Sequence, residues 1–284
     1  MQKRVIAVHD ISCVGRCSLT VALPVISAAG LECSLMPTAL LSTHTGGFTD
    51  FTFLPLTDEM KKIASHWKSL SLRADAVYTG YLGSPEQIGI AESIITDFGG
   101  IAIVDPVMGD AGKLYAGFDS RMVEGMRRLC RSADVIMPNI TEACLLLDIP
   151  CDGVSPVPGD ATASVLRELH TLSGAAVVLS GVEADGKIGA AVYDGNSVEY
   201  LMSEKYPGFY HGTGDVFGSA LCSAVVRGMS LPDAARLAVE FTSAVVRRTM
   251  ESEEDKRYGP VFEPELGGFA AELDRLCGRD SFNN

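Results

Sequence analysis

The feature that most constrains the fold is an alternation of short, continuously apolar runs with amphipathic segments along nearly all of the 284 residues. Continuous apolar runs are typical of strands buried on both faces, and strand–helix alternation favours a mostly parallel sheet covered by helices. We therefore predict an α/β chain with three α/β/α layers, forming a single domain over residues 1–284. The predicted strands are Arg4–Val8, Cys33–Met36, Ala76–Thr79, Ile101–Val104, Val135–Met137, Ala176–Leu179, Gly189–Tyr193 and Val198–Leu201.

The amphipathic segments supply the predicted helices, and one turn indicates an exception to the parallel pattern. Asp194-Gly195-Asn196 lies between the last two strands, which is a hairpin signal, so we expect an antiparallel addition to the sheet there. The predicted helices are Ser18–Ala29, Asp58–Ser71, Pro85–Phe98, Ser120–Cys130, Thr141–Leu147, Asp160–Leu172, Asp215–Arg227, Leu231–Met250 and Pro264–Leu276.

Charge and cysteine usage exclude several classes of protein. With 23 Lys and Arg against 36 Asp and Glu, the formal charge of −13 disfavours binding to nucleic acid or to an anionic membrane surface. The longest mostly apolar stretch, Leu19–Leu31, is shorter than the roughly 20 residues that a membrane-spanning helix needs. The start of the chain has no signal-peptide core, and the eight cysteines include no C-x-x-C pair. We expect a cytoplasmic protein with reduced thiols and no structural zinc.

Small, polar and acidic residues follow the predicted parallel strands. Open α/β sheets bind ligands at the carboxyl ends of their strands, so these residues are expected to meet at one edge of the sheet. The sequence therefore predicts a binding site there, built from residues 9–12, 42–47, 79–83, 105–110, 138–142 and 180–181.

The most specific of the motifs is Gly212-Thr213-Gly214-Asp215, directly before a predicted helix. Two glycines at a helix N-terminus expose backbone N–H groups that can receive a phosphate or an anionic transition state. Asp215 is then either an ordinary N-cap or a general base beside the anion hole. The motif is not a phosphate-binding Walker loop, because no Gly-Lys-Ser/Thr follows, and it lacks the third glycine of a dinucleotide fingerprint.

Together with Asn139-x-x-Glu142 and Asp105-Pro106-Val107-Met108-Gly109, this turn resembles the ribokinase-like superfamily of small-molecule kinases. Within that superfamily, the segments 42–46 and 79–84 and the Asp-Pro-Val-Met-Gly run are similar to pyridoxal (vitamin B6) kinases, and the likeness covers about residues 3–250. The resemblance implies a ribokinase-like fold, a homodimer, and transfer of the γ-phosphoryl group of ATP to the hydroxymethyl group of pyridoxal, pyridoxine or pyridoxamine. It leaves open whether a monovalent cation is needed beside Mg²⁺.

The resemblance also implies roles for residues on the phosphate side. Phosphoryl transfer depends on positioning and charge neutralisation, and magnesium prefers oxygen ligands, so acidic and amide side chains suit these roles. Asp215 matches the catalytic base, and Gly212, Thr213 and Gly214 match the anion hole. Asn139 and Glu142 match a pair that holds magnesium through water, Asp105 matches a carboxylate near the same metal and the triphosphate, and Ser180 matches a hydroxyl near the nucleotide phosphates.

Each of these residues also has a purely structural alternative. Asn139 is a plausible helix N-cap, Glu142 a first-turn carboxylate favoured by the helix dipole, and Asp105 the end of a strand. Lys113 is the one cation in Gly109–Gly117, which resembles a mobile segment over the phosphates. Lys113 either screens the triphosphate or is a solvated lysine.

On the substrate side, Thr45 and Tyr81 match positions that line the pyridine pocket of vitamin B6 kinases, with Gly46 beside them. The segment Ile11–Arg16 matches a flap over the substrate. His44 is either part of this signature or a structural, hydrogen-bonded histidine.

Asp10 departs from the vitamin B6 pattern, which usually has Ser at that position. Asp10-x-Ser12 instead resembles the related hydroxymethylpyrimidine kinases of thiamine synthesis, whereas the His44-Thr45-Gly46 run favours vitamin B6. A carboxylate at position 10 could pair with a protonated amine, which would favour pyridoxamine over pyridoxal.

Several functions stay open at this point. A hydroxymethylpyrimidine (phosphate) kinase is the main alternative, followed by sugar and adenosine kinases and by a non-catalytic ligand-binding relative. A nicotinamide-dependent dehydrogenase is disfavoured, because the first strand-to-helix turn has no G-x-G-x-x-G. The tail after residue 250 lies outside the resemblance.

Overall fold

The architecture is a mixed sheet between helices, seen in a computed structural model that describes residues 2–151, 157–208 and 210–280. The strands are β1 (Arg4–Ser12), β2 (Glu32–Leu41), β3 (Phe53–Pro55), β4 (Ala76–Thr79), β5 (Ile101–Val104), β6 (Gly109–Asp110), β7 (Lys113–Leu114), β8 (Val135–Ile136), β9 (Ala176–Ala184), β10 (Lys187–Tyr193) and β11 (Val198–Glu204).

Helices occupy most of the segments between these strands, as the amphipathic pattern predicted. They are α1 (Leu19–Ala28), α2 (Thr57–Ser69), α3 (Pro85–Phe98), α4 (Ser120–Cys130), α5 (Ile140–Leu147), α6 (Asp160–Ser173), α7 (Thr213–Val226), α8 (Leu231–Glu251) and α9 (Leu266–Asp280), with 3₁₀ turns at Lys256–Tyr258 and Glu263–Glu265.

The main sheet has the strand order β11-β10-β9-β8-β5-β4-β1-β2-β3 in the described part of the chain. The six strands from β9 to β2 pair in parallel, whereas β10 and β11 pair antiparallel at one edge. This confirms the predicted parallel sheet and the predicted hairpin. Strand β3, antiparallel to β2 at the other edge, was missed because its three residues are all exposed and show no apolar alternation.

Burial on both faces explains why the parallel strands have continuous apolar sequences. Val5 and Ala7 of β1 lie in a core shared with α1, α7 and α8, and Ile6 and Val8 lie in a second core on the opposite face, shared with α3 and α4. The predicted three-layer α/β/α fold is thus confirmed. Because β9, β8, β5, β4, β1 and β2 are parallel, their carboxyl ends share one edge, and the polar segments that follow them are brought together.

Some boundaries differ from the prediction. β2 runs on to Leu41, five residues past the predicted end at Met36, and α7 begins at Thr213 rather than Asp215. The Gly109–Gly117 segment contains the two-stranded ribbon β6–β7. None of the eight cysteines, all of which lie in the described ranges, forms a disulfide bond. Among the described residues, no helix combines the length and apolar character needed to cross a bilayer.

Candidate active site

The glycine turn before α7 forms the centre of the site. Gly212 is the N-cap of α7 and has a φ of 89°, in the left-handed region that glycine adopts without strain. A Cβ atom at this position would lie 2.2 Å from the carbonyl oxygen of Arg16, so only glycine fits. Thr213, Gly214 and Asp215 form the first turn of the helix. The alternative that Asp215 is the N-cap is therefore wrong, because the cap is Gly212.

Two donors hold the carboxylate of Asp215. It accepts hydrogen bonds from the backbone N–H of Ser18 and from the thiol of Cys17. Burial raises the pKa of Asp215 to about 6, and the nearby charge of Asp10 also raises it. A general base is most effective when its pKa lies near the working pH, so Asp215 has the character that proton abstraction requires. Neither Cys17 nor Ser18 was identified from the sequence as part of the site.

Asp10 lies beside Asp215 in a buried network of hydroxyl groups. Its carboxylate is 5% exposed and accepts hydrogen bonds from Ser18 Oγ at 2.5 Å and from Ser12 Oγ at 3.2 Å. Burial raises the pKa of Asp10, whereas the two hydroxyl groups lower it. Burial and the Asp10 charge together raise the pKa of Tyr81 to about 12. The structure thus brings four of the predicted residues, Asp10, Ser12, Tyr81 and Asp215, into one neighbourhood.

Asn139 and Glu142 form a capping box at the start of α5. The Oδ1 atom of Asn139 accepts from the backbone N–H of Glu142 at 2.9 Å, and Glu142 Oε2 accepts from the N–H of Asn139 at 2.9 Å. Glu142 Oε1 also accepts from the N–H of Met108 at 3.1 Å, and Asn139 Nδ2 donates to the carbonyl of Gly109 at 2.9 Å. Both residues therefore have the structural role given above as an alternative, and they tie the loop after β5 to α5.

The carboxylates of Asp105 and Glu142 are close enough to influence each other. Burial and the charges of Glu142 and Asp215 raise the pKa of Asp105 well above its usual range. Burial raises the pKa of Glu142 to about 8, although the backbone N–H groups oppose this. Such uncompensated acidic groups suit a divalent cation with oxygen ligands. No group of three or more His, Cys, Asp and Glu side chains among the described residues could hold a metal ion. The oxygen atoms of Asp105, Asn139 and Glu142 are of the kind that magnesium prefers as ligands.

Ser180 and Lys113 differ from the prediction in their settings. Ser180 lies within β9 rather than after it, and its N–H donates to the carbonyl of Pro138 at 3.0 Å, which places it next to Asn139. Lys113 is exposed on β7, opposite Asp110 in the β6–β7 ribbon. The ribbon is tied to α5, because the N–H of Gly112 donates to Thr141 Oγ1 at 2.9 Å. The first part of the glycine-rich segment is thus a short two-stranded ribbon, and its mobility over the phosphates stays a prediction.

Two aromatic residues that follow this ribbon, Tyr115 and Phe118, lie at the site. Neither was predicted from the sequence as a site residue. The rings of Phe118 and Tyr81 stack with their centroids 5.8 Å apart and their planes 17° apart. Burial raises the pKa of Tyr115, and the charges of Glu142 and Asp110 add to the effect, which places its hydroxyl among the acidic groups. The segment after the ribbon therefore contacts both the substrate side and the phosphate side.

A tyrosine beneath the site was also missed. A Cβ atom at Gly218 of α7 would lie 2.3 Å from the hydroxyl oxygen of Tyr78, so this glycine admits the ring against the helix. Burial raises the pKa of Tyr78 well above its usual range, and the charges of Asp105 and Asp215 add to this effect. Gly218, a glycine inside a predicted helix, was the sequence feature that could have indicated this close contact.

His44 has a structural role, one of the two alternatives above. The ring is 4% exposed, its Nε2 lies 2.7 Å from the carbonyl oxygen of Arg257, and its Nδ1 accepts from the N–H of Gly46 at 3.2 Å. These partners assign the proton to Nε2 of a neutral ring, and burial lowers the pKa of His44. Gly46 packs against His211, whose ring a Cβ atom would approach to 2.4 Å. Thr45, which lies between His44 and Gly46 in the chain, is exposed. Its contact with a substrate stays a prediction.

Comparison with known proteins gives a consistent family. Residues 22–261 match the model of the phosphomethylpyrimidine kinase family. A Bacteroides thetaiotaomicron protein described as a phosphomethylpyrimidine kinase and crystallised with pyridoxal is 40% identical, with a TM-score of 0.88 over 95% of this chain and 96% of that one. Pyridoxal kinase from Lactobacillus plantarum is 32% identical, with a TM-score of 0.90 over 97% and 99%.

Among curated proteins, the thiamine biosynthetic bifunctional enzyme TH1 of Arabidopsis thaliana is 30% identical over 77% of this chain. The chain spans only 42% of that enzyme, and it spans less than half of the next two thiamine biosynthesis proteins as well. Pyridoxal kinase of Arabidopsis thaliana is 29% identical over 65% of this chain and 62% of its own length. With the family match over most of its length and the ribokinase-like fold, the chain belongs to the phosphomethylpyrimidine kinase family.

Proposed function

We propose that the protein phosphorylates the hydroxymethyl group of a B6 vitamer, using ATP and Mg²⁺ and acting as a homodimer, to give the vitamer 5′-phosphate. The observation that carries the proposal is the setting of Asp215. This carboxylate has a pKa of about 6, lies in the first turn of α7, and is close enough to both Asp10 and Asp105 for the charges to influence each other. One residue thereby borders both the substrate side and the phosphate side.

Asp215 accepts the proton of the substrate hydroxyl as that oxygen attacks the γ-phosphorus, and the bond from the γ-phosphorus to the bridging oxygen of ATP breaks so that ADP leaves. The backbone N–H groups of the 212–214 turn, at the positive end of the α7 dipole, stabilise the negative charge on the transferred phosphoryl group. Asp105 and Glu142 would hold Mg²⁺ through oxygen atoms or water, and the metal would neutralise charge on the phosphates. The donors on Asp215, from Ser18 and Cys17, keep its carboxylate oriented during the transfer.

A pyridine substrate is favoured by the relatives that match nearly the whole chain. The 40% identical Bacteroides protein was crystallised with pyridoxal, and the 32% identical Lactobacillus protein is a pyridoxal kinase. The 44–46 loop, which carries the vitamin B6 signature, is fixed next to the glycine turn through His44 and Gly46. Tyr81 and Phe118 add a stacked aromatic wall on the substrate side, suited to a flat ring.

A hydroxymethylpyrimidine substrate is the second candidate, and Asp10 is the observation that favours it. This buried carboxylate and Ser12 form the pair that resembles hydroxymethylpyrimidine kinases, and the curated thiamine enzymes match the chain as well. If Asp10 instead pairs with a protonated amine of a B6 vitamer, Asp10→Ser should shift the kcat/KM ratio from pyridoxamine towards pyridoxal. An unchanged ratio would remove that role for Asp10.

An ADP-release panel tests the proposal. The purified chain is assayed with pyridoxal, pyridoxamine, pyridoxine, hydroxymethylpyrimidine, ribose and adenosine, each with Mg²⁺ and with excess chelator. We expect Mg²⁺-dependent ADP release that is fastest with a B6 vitamer. Faster release with hydroxymethylpyrimidine would establish the second candidate, and no release with any substrate would contradict kinase activity on this set.

A further inference from the structure

We infer that the segment Ser252–Glu263, here called the connecting segment, positions the flap and the glycine turn for catalysis, with Arg16 as the positioning residue. The inference rests on the proposed function and extends it to a part of the chain outside the family-like motifs. The connecting segment follows α8 and precedes α9.

Arg16 is the main link between the flap and the connecting segment. Its Nη1 atom lies 2.8 Å from the carboxylate of Glu254, and its Nε atom lies 2.7 Å from that of Glu263. Its backbone N–H donates to the carbonyl of Tyr258 at 2.8 Å. The side chain is 21% exposed, so its charge is partly removed from water. One flap residue is thus held at three points by a segment more than 230 residues away along the chain.

Close backbone packing joins the glycine turn to Arg16 and to the connecting segment. Gly259 has a φ of 86°, and a Cβ atom there would lie 2.7 Å from the carbonyl oxygen of Arg16. A Cβ atom at Gly212 would lie 2.2 Å from the same oxygen and 3.2 Å from Pro260 Cδ. The connecting segment, the flap and the glycine turn therefore meet with no space for an added methyl group, so a shift of one displaces the others.

The segment 44–48, which includes the 44–46 loop, also contacts the connecting segment. The carbonyl of Arg257 accepts from His44 at 2.7 Å, and the guanidinium of Arg257 lies 5.8 Å from the centre of the Phe48 ring. The rings of Phe48 and Tyr258 are 5.4 Å apart. The flap and the segment 44–48 thus both contact residues of the connecting segment.

The connecting segment is itself firmly anchored, which allows it to fix other parts. The N–H of Val261 donates to Thr249 Oγ1 of α8 at 2.8 Å, and Val261 and Phe262 are buried. Lys256 Nζ donates to the carbonyl of Ser252 at 2.7 Å. Because Ser18, two residues after Arg16, donates its N–H to Asp215, an anchored Arg16 also fixes a donor to the proposed base.

The test removes the links from both sides. One variant is Arg16→Gln, and the other is the double variant Glu254→Ala and Glu263→Ala. The matched control is Glu265→Ala, which removes a neighbouring ion pair, Arg248 Nε to Glu265 at 2.8 Å, that does not touch the flap. Amide hydrogen exchange is followed over residues 11–18, and KM is measured separately for the substrate and for ATP.

We expect faster exchange in residues 11–18 in both test variants, with melting temperatures close to that of the control. Because the two lost ion pairs are partly exposed and therefore weak, the substrate KM should rise only about three- to tenfold, while the KM for ATP stays the same. Arg16→Lys, which keeps the charge, should restore part of the substrate affinity.

The exchange measurement needs no substrate, so it separates this inference from the proposed function. The positioning role would be overturned if residues 11–18 of the test variants exchanged at the wild-type rate. It would also be overturned if the exchange rate rose equally in the control variant. Equal increases in both KM values would also overturn it. If the wild-type chain phosphorylates no B6 vitamer while exchange rises as expected, the proposed function is wrong and the positioning of the flap stands.

Discussion

The two sides of the site are built in different ways. On the phosphate side, Asn139 and Glu142 bond to each other within a single helix turn, and the glycine turn belongs to the start of α7. On the substrate side, Arg16 and His44 have partners 238 and 213 residues away in the connecting segment. The Asn139–Glu142 pair is therefore formed within one helical turn. The flap and the 44–46 loop, and the glycine turn packed beside the flap, reach their positions only when the end of the chain has folded against its beginning.

The largest expected effect tests the phosphate side at its proposed base. Asp215→Asn keeps the size of the side chain but removes its ability to accept a proton. General-base catalysis contributes typically 10²–10⁴-fold, so kcat should fall by about two orders of magnitude or more. Nucleotide affinity should survive, because the glycine backbone and Asp105, Asn139 and Glu142 are unchanged. Steady-state kinetics and a nucleotide titration check both expectations.

A melting curve is the control for this variant. Asn can still accept one of the two hydrogen bonds through its amide oxygen, so stability should change by about 1 kcal/mol, the scale of a single hydrogen bond. Near-normal turnover in a stable Asp215→Asn protein would contradict the role of the base and leave Asp215 as a structural residue.

The next largest effect tests the substrate side. Gly46→Ala places a Cβ atom 2.4 Å from the ring of His211, so either the 44–46 loop or that ring must shift. Overpacking typically costs 1–3 kcal/mol, and we expect the substrate KM to rise about tenfold with less change in the KM for ATP. Gly89→Ala is the matched control, because a Cβ atom there meets nothing within 4 Å. Equal kinetics for the two variants would show that the loop does not position the substrate.

A smaller effect concerns the pH dependence of stability on the phosphate side. Burial raises the pKa of Glu142 from 4.5 to about 8, so the folded state binds this proton more tightly than the unfolded state does. The associated stabilisation is full below pH 4.5 and is lost as the pH rises towards 8. The melting temperature of wild-type protein without nucleotide should therefore fall over this range more steeply than that of Glu142→Gln. Parallel curves would contradict the raised pKa.

The smallest effect is expected at Lys113, which is exposed on the β6–β7 ribbon. If its charge screens the triphosphate, Lys113→Ala should raise the KM for ATP about two- to threefold, the scale of an exposed charge interaction, and leave the substrate KM unchanged. Lys187, exposed at the start of β10, offers a control substitution to Ala. Identical KM values for ATP in the Lys113→Ala and Lys187→Ala variants would show that Lys113 is a solvated lysine with no role in ATP binding.

The same contrast explains which parts could be predicted from the sequence. Continuous apolar runs predicted the parallel strands, because burial on both faces requires them. The Asn139–Glu142 pair was recognisable because the two residues are three positions apart, and the glycine turn because its four motif residues are consecutive. Ser180 was misplaced at the end of β9 because an edge hairpin extends that strand through Ala184.

Other parts left no local signal. The contacts of Arg16 with Glu254 and Glu263 depend on how α8 and α9 return to the sheet, which no short pattern encodes. Cys17 and Ser18 become donors to Asp215 only because Gly212 packs against Arg16. Tyr115 and Phe118 belong to no predicted strand or helix, so their contacts across the site were not expected.

The most direct test of the central claim is a competition between the two candidate substrates. Equal concentrations of pyridoxal and hydroxymethylpyrimidine are incubated with wild-type protein, Mg²⁺ and limiting ATP, and the phosphorylated products are quantified by mass spectrometry. The proposal predicts that pyridoxal 5′-phosphate is the main product and that chelation of Mg²⁺ abolishes it. A main product of hydroxymethylpyrimidine phosphate, or no phosphorylated product from either substrate, would contradict it.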